Sequence, residues 1–133
     1  MFIPSIIRDR VRDEIERELG ALVPQIVAAL HPQQVLLFGS AARGRAGEMS
    51  DIDLCVIADT NLKFHDRMGL VLDLYQGDRE LQVLVYTPEE WQRMLAEGRD
   101  FIRTIACEGR VLHAEGQGGG RVLEEWQETS FPP

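Results

Sequence analysis

Apolar positions along the chain fall into alternating helix-like and strand-like runs. Between residues 5 and 19, Ile7, Val11, Ile15 and Leu19 recur at every fourth position among charged residues, the spacing of one helix face. Ser5 suits the start of that helix and Gly20 its stop. A second helix is predicted from about Val23 to Leu30. Pro24 is tolerated in its first turn, and Val23, Ile26, Val27 and Leu30 share a stripe. Val35-Leu36-Leu37-Phe38 is an unbroken apolar run closed by Gly39, as in a buried strand. Residues 39 to 50 read as a loop with one helical turn, and Asp51 to Ala58 as a second strand.

Phe64, Met68, Val71, Leu72 and Tyr75 return to helical spacing, ended near Gly77, and Leu81 to Tyr86 is a third strand. Thr87-Pro88-Glu89-Glu90 forms a helix start: a threonine cap, proline at the first helical position and glutamate at the third. That helix carries Trp91, Met94 and Leu95 and stops near Gly98. A last helix from about Asp100 to Cys107 precedes Gly109 and a small strand at Val111-Leu112. Four glycines between Gly116 and Gly120 predict a flexible linker, followed by a tail with Val122, Leu123 and Trp126. The expected division is one domain over residues 1–113, with the helices of residues 5–30 included, and a linker and tail over 114–133.

Composition agrees with one folded core. The chain has 133 residues and is 44% hydrophobic, richer in apolar residues than a disordered chain. No apolar stretch is long enough for a membrane span, and the first residues lack a signal-peptide core, so a cytoplasmic protein is expected. A formal net charge of −8 disfavours direct nucleic-acid binding, which needs basic surface to displace counterions. Cys55 and Cys107 stand in apolar contexts and read as buried free thiols. His31, His65 and His113 are too scattered for a metal site.

The chemistry concentrates in Phe38-Gly39-Ser40-Ala41-Ala42-Arg43-Gly44-Arg45 and Ser50-Asp51-Ile52-Asp53-Leu54. Asp51 and Asp53 are two residues apart at a strand head, so their side chains share a side. Close carboxylates resist joint ionisation, and a divalent cation removes the conflict. Mg2+ is commonly held by one or two carboxylates together with substrate phosphates. Gly39, directly after a strand, allows positive φ and close backbone approach to a ligand. Ser40 adds a hydroxyl, and the amides that follow can face phosphate oxygens if a helical turn starts there.

Gly-Ser, ten intervening residues and Asp-x-Asp together resemble the signature of the polymerase-β-like nucleotidyltransferase superfamily. The words Phe-Gly-Ser-Ala-Ala-Arg-Gly and Ser-Asp-Ile-Asp-Leu are similar to those of its small, minimal nucleotidyltransferase members, and the likeness spans roughly residues 20 to 113. The resemblance implies an α+β or α/β fold, a small mixed sheet with helices packed on one face. It also implies a triphosphate on Gly39 and Ser40, with Arg43 either contacting phosphates or pairing with nearby acids, and Mg2+ on the catalytic pair Asp51 and Asp53. Arg45 reads as a surface residue.

The pattern departs from the family at Gln82, where the resemblance places a third carboxylate. Glutamine is neutral and cannot serve as a general base. Glu80, two residues earlier on the same strand face, is one substitute. The Gln82 amide oxygen is another, and loss of catalysis with binding retained is a third outcome. The implied activity is transfer of AMP from ATP to a hydroxyl acceptor. Small members act as antitoxins paired with HEPN-domain toxins, and a partner protein is the expected acceptor. A homodimer through the N-terminal helices or the tail is a further expectation.

Overall fold

The computed structural model describes residues 4–47 and 50–116. The glycine-rich linker and the tail with Trp126 expected beyond Gly116 lie outside the described residues. Helix α1 spans Ser5–Leu30, strand β1 Gln34–Phe38, the short α2 Gly39–Ala42 and β2 Ile52–Ile57. Then follow α3 Phe64–Leu74, β3 Leu81–Tyr86, α4 Pro88–Ala96, α5 Asp100–Glu108 and β4 Arg110–Ala114.

The two helices expected before β1 are one. Val11, Ile15, Leu19, Leu22, Val23, Ile26 and Leu30 form an unbroken buried stripe along α1. Burial of that stripe outweighs the modest local cost of Gly20 inside a helix. Pro24 is exposed, and the N–H it lacks would have bonded the carbonyl four residues earlier, at Gly20. The helix ends where His31 takes a left-handed φ of 47° and its N–H bonds the Val27 carbonyl. In α4 the Thr87 hydroxyl accepts from the Glu90 N–H while the Glu90 carboxylate accepts from the Thr87 N–H, so the predicted cap is present.

The four strands form one mixed sheet in the order β3-β2-β1-β4. Strand β1 runs antiparallel to both neighbours, and β2 is parallel to β3, with α3 as the crossover that parallel pairing requires. Side chains alternate between two apolar layers. Val35, Leu37, Leu54, Val56, Val83 and Val85 meet α1 and α3 on one face. Leu36, Cys55 and Ile57 meet Trp91, Met94, Ile102 and Ile105 of α4 and α5 on the other. Helices therefore cover both faces of the mixed sheet, and not one face as expected. Strand β2 is apolar at Ile52 and from Leu54 to Ile57 because it is covered from both sides.

Burial pushes the Cys55 thiol up to about 12, whereas Cys107 is exposed on α5 and departs from the buried thiol expected there. Among the described residues, no helix is long and apolar enough to cross a membrane.

Candidate active site

The sheet brings the separated motifs together at one end. Strand β1 enters it at Phe38, and antiparallel pairing sets Phe38 opposite Asp53 at the start of β2. Parallel pairing on the other side sets Asp53 beside Gln82 of β3. Gly39 then turns the chain from β1 into α2 with a φ of 74°, a conformation open to glycine. It also has no room for a side chain. A β-carbon there would lie 2.2 Å from Asp53 Oδ2. The backbone of the Gly39 turn and the Asp53 carboxylate are thus packed directly together. The expected helical turn after Gly39 is α2, and its end is closed by the Arg43 N–H on the Gly39 and Ser40 carbonyls, both at 3.2 Å.

Asp53 is half-buried, and its carboxyl is held above the ordinary value of 3.8, first by burial and second by the negative charge of Asp51. The negative charge of Asp51 thus adds to burial in disfavouring the ionised form of Asp53.

Gln82 lies beside Asp53 in the sheet. Its Nε2 donates to Asp51 Oδ2 at 2.9 Å, so a neutral donor stands beside the acidic pair. Glu80 is exposed and joins the site through its backbone, its carbonyl accepting the Ile52 N–H at 2.9 Å.

Arg43 forms a 3.0 Å ion pair from Nε to Glu108 Oε1, with both side chains about half exposed. This is the pairing alternative for Arg43. Beside it a cavity of about 220 Å3 is lined by Phe38, Gly39, Phe101, Thr104 and Ile105. Arg45 is exposed, as expected.

Among the described residues, no group of three or more His, Cys, Asp or Glu side chains could hold a metal ion. The acidic side chains singled out from the sequence for a cation are Asp51 and Asp53. Two carboxylates are the donor type a divalent cation takes when its other ligands come from phosphates and water.

Arg79 carries no motif and was not among the residues expected from sequence. It sits in the turn before β3, and its guanidinium donates to the carbonyls of Gly47 and Ser50, directly ahead of Asp51. An arginine between two loop residues reads as surface until the fold shows what it reaches.

A family model for the polymerase beta nucleotidyltransferases matches residues 25–115, from the last turns of α1 past β4 and including Gly39, Ser40, Asp51, Asp53 and Gln82. A solved structure of a Sulfolobus solfataricus protein assigned as a nucleotidyltransferase aligns with a TM-score of 0.55 and 19% identity, covering 84% of this chain and 86% of that one. A solved toxin–antitoxin with AMP-PNP aligns at a TM-score of 0.43 and 18% identity, over 88% of this chain and 84% of that one. Comparison with curated protein sequences gives no match. With the family model spanning well over half of the chain and the Gly-Ser turn seated on the Asp-x-Asp strand, the chain belongs to the polymerase beta nucleotidyltransferase family.

Proposed function

We propose that this protein is a metal-dependent nucleotidyltransferase that moves AMP from ATP to a hydroxyl of a partner protein. In this reading it is the antitoxin half of a pair with a HEPN-domain toxin. The observation that carries the catalytic part is the contact between Gly39 and Asp53, where a β-carbon would meet Oδ2 at 2.2 Å. That contact would set the triphosphate, on the Gly39-Ser40 turn, directly against the metal-binding carboxylates. The partner and the choice of ATP rest on the likeness of the two sequence words to small family members.

Asp51 and Asp53 would hold Mg2+, which when bound offsets charge on the transferring phosphoryl group. Gly39 and Ser40 would position the phosphates, and positioning with charge neutralisation accounts for most of such catalysis. The acceptor oxygen bonds to the α-phosphorus as the bond to the bridging oxygen of the β-phosphate breaks. Pyrophosphate leaves with that electron pair, and the hydroxyl proton passes to water, since Gln82 is neutral.

One observation favours a second reading, a catalytically impaired binding module that restrains its partner without chemistry. The Gln82 amide donates to Asp51 Oδ2, occupying an oxygen that the metal would use. Incubation with α-labelled ATP, Mg2+ and the co-encoded partner separates the two. Label on the partner, lost in Asp51→Asn/Asp53→Asn, is the expected result. Label appearing only after Gln82→Asp would establish the binding module. Absence of Mg2+-dependent ATP binding in the native chain would sink the transferase and leave only a purely structural form of the binding module.

A further inference from the structure

Asp51 differs from Asp53 in how it is held. Asp53 lies within β2 and is flanked by partners in both neighbouring strands, Phe38 and Gln82. Asp51 precedes the first residue of the strand, so ladder pairing does not fix it. A pair of carboxylates chelates a cation only if their separation is set in advance.

The missing restraint comes from the turn before β3. Arg79 Nη1 donates to the Ser50 carbonyl at 3.1 Å and to the Gly47 carbonyl at 3.1 Å. Its Nη2 donates to Glu14 Oε1 of α1 at 3.0 Å, and the side chain is only 9% exposed. The Ser50 carbonyl belongs to the peptide group that carries the Asp51 N–H. The peptide group on the far side of Asp51 is tied as well, through the Ile52 N–H on the Glu80 carbonyl at 2.9 Å. Both peptides around Asp51 are therefore gripped by consecutive residues, 79 and 80, while Gln82 takes the carboxylate.

Arg79 is itself anchored. The Tyr75 hydroxyl accepts from the Arg79 N–H at 3.2 Å and donates to Glu18 Oε1 at 2.5 Å. A guanidinium offers several donors in a fixed plane, so one group can hold two carbonyls and a carboxylate together.

We infer that Arg79 is a positioning residue of the transfer site, setting the backbone of Asp51 and so the spacing of the metal-binding carboxylates. This deepens the proposed function and rests on Asp51 and Asp53 being metal ligands. Groups that orient ligands from behind are commonly worth tenfold or more in metal affinity.

The test is Mn2+ affinity in the presence of ATP, read by electron paramagnetic resonance on the full chain. It compares the native protein with Arg79→Met, Arg79→Lys, Glu14→Gln and Asp51→Asn. Arg79→Met should weaken Mn2+ binding roughly tenfold. Arg79→Lys keeps a cation for Glu14 but loses the planar fork, and should also lose affinity by at least about threefold. Glu14→Gln removes the ion pair while keeping an acceptor for Nη2, and should stay within about twofold of native.

Native-like affinity in both Arg79 variants would overturn the inference, as would an equal loss in Glu14→Gln. Failure of both Arg79 variants to fold would also overturn it, by making the residue purely structural. Equal Mn2+ binding by the native chain and Asp51→Asn is a separate result, which would remove the proposed function itself whatever Arg79 does.

Discussion

The two ends of β3 treat charge in opposite ways. At the far end from the site, Arg67 is buried and saturated with acceptors. It donates to the Leu62 carbonyl at 2.8 Å, the Val85 carbonyl at 3.2 Å and Glu90 Oε1 at 2.8 Å. Glu90 also closes the cap of α4, and its carboxyl is held below the ordinary range, chiefly by its hydrogen bond from Arg67. At the near end, burial and then the charge of Asp51 hold the Asp53 carboxyl above the ordinary range. One end has its charges matched, and the other keeps a surplus of negative charge. Strain and unmatched charge cluster where ligands bind, and the rest of a fold supplies the stability that tolerates them.

The comparison is broken most directly at the matched end. Arg67→Ala would take a donor from two carbonyls and from the Glu90 carboxylate, which keeps the Thr87 N–H, and should cost about 3 kcal/mol by denaturant unfolding, the low end of the range for breaking a buried pair. A loss below about 1 kcal/mol would mean that this end does not stabilise the fold.

A smaller effect is expected at the site end. Gly39 and Gly44 have similar positive φ values, 74° and 70°, but Gly44 has nothing within 4 Å of a built β-carbon. Gly44→Ala should therefore cost only the left-handed backbone term, about 1–2 kcal/mol. Gly39→Ala carries that cost and must also displace Asp53. It should be the less stable variant and should lose Mg2+-dependent ATP binding, which Gly44→Ala retains. Equal behaviour by calorimetry and ATP titration would show that the contact with Asp53 is unimportant.

The smallest effect is electrostatic. Because the folded Asp53 carboxyl titrates above its ordinary value of 3.8, the metal-free native state binds the proton more tightly than the unfolded chain. Its ionisation opposes folding at neutral pH, and the cost fades as pH falls through the raised value. Glu90 has the reverse sign: its contribution is present above the ordinary 4.5 and is lost on acidification. Asp53→Asn should therefore raise the melting temperature at pH 7 in chelator by a few degrees at most, and flatten the acid side of the profile. A lower melting temperature would mean that burial and the neighbouring charge do not penalise the ionised Asp53.

Much of this was legible in the chain because it depends on neighbours in sequence. The strand and helix runs from Val35 onward follow periodicity, and the α4 cap is a four-residue pattern that closes on itself. The Gly-Ser and Asp-x-Asp words identified the family, and Gln82 stood out as the departure. What misled were local signals that burial overrode. Gly20 reads as a stop, yet α1 continues because its stripe stays covered by the core.

By itself, the sequence determined the run of strands and helices from Val35 onward, the Gly-Ser and Asp-x-Asp words that mark the family, and Gln82 as a departure from them. Those properties follow from spacing along the chain and from side-chain chemistry. Only the tertiary structure decided that helices cover both faces, that Gly39 has no space for a β-carbon beside Asp53, and that Arg79 reaches back to the peptide before Asp51. Each depends on strands paired across about 15 to 30 residues of intervening chain. Register at that range is set by burial of the whole sheet, which no local pattern encodes.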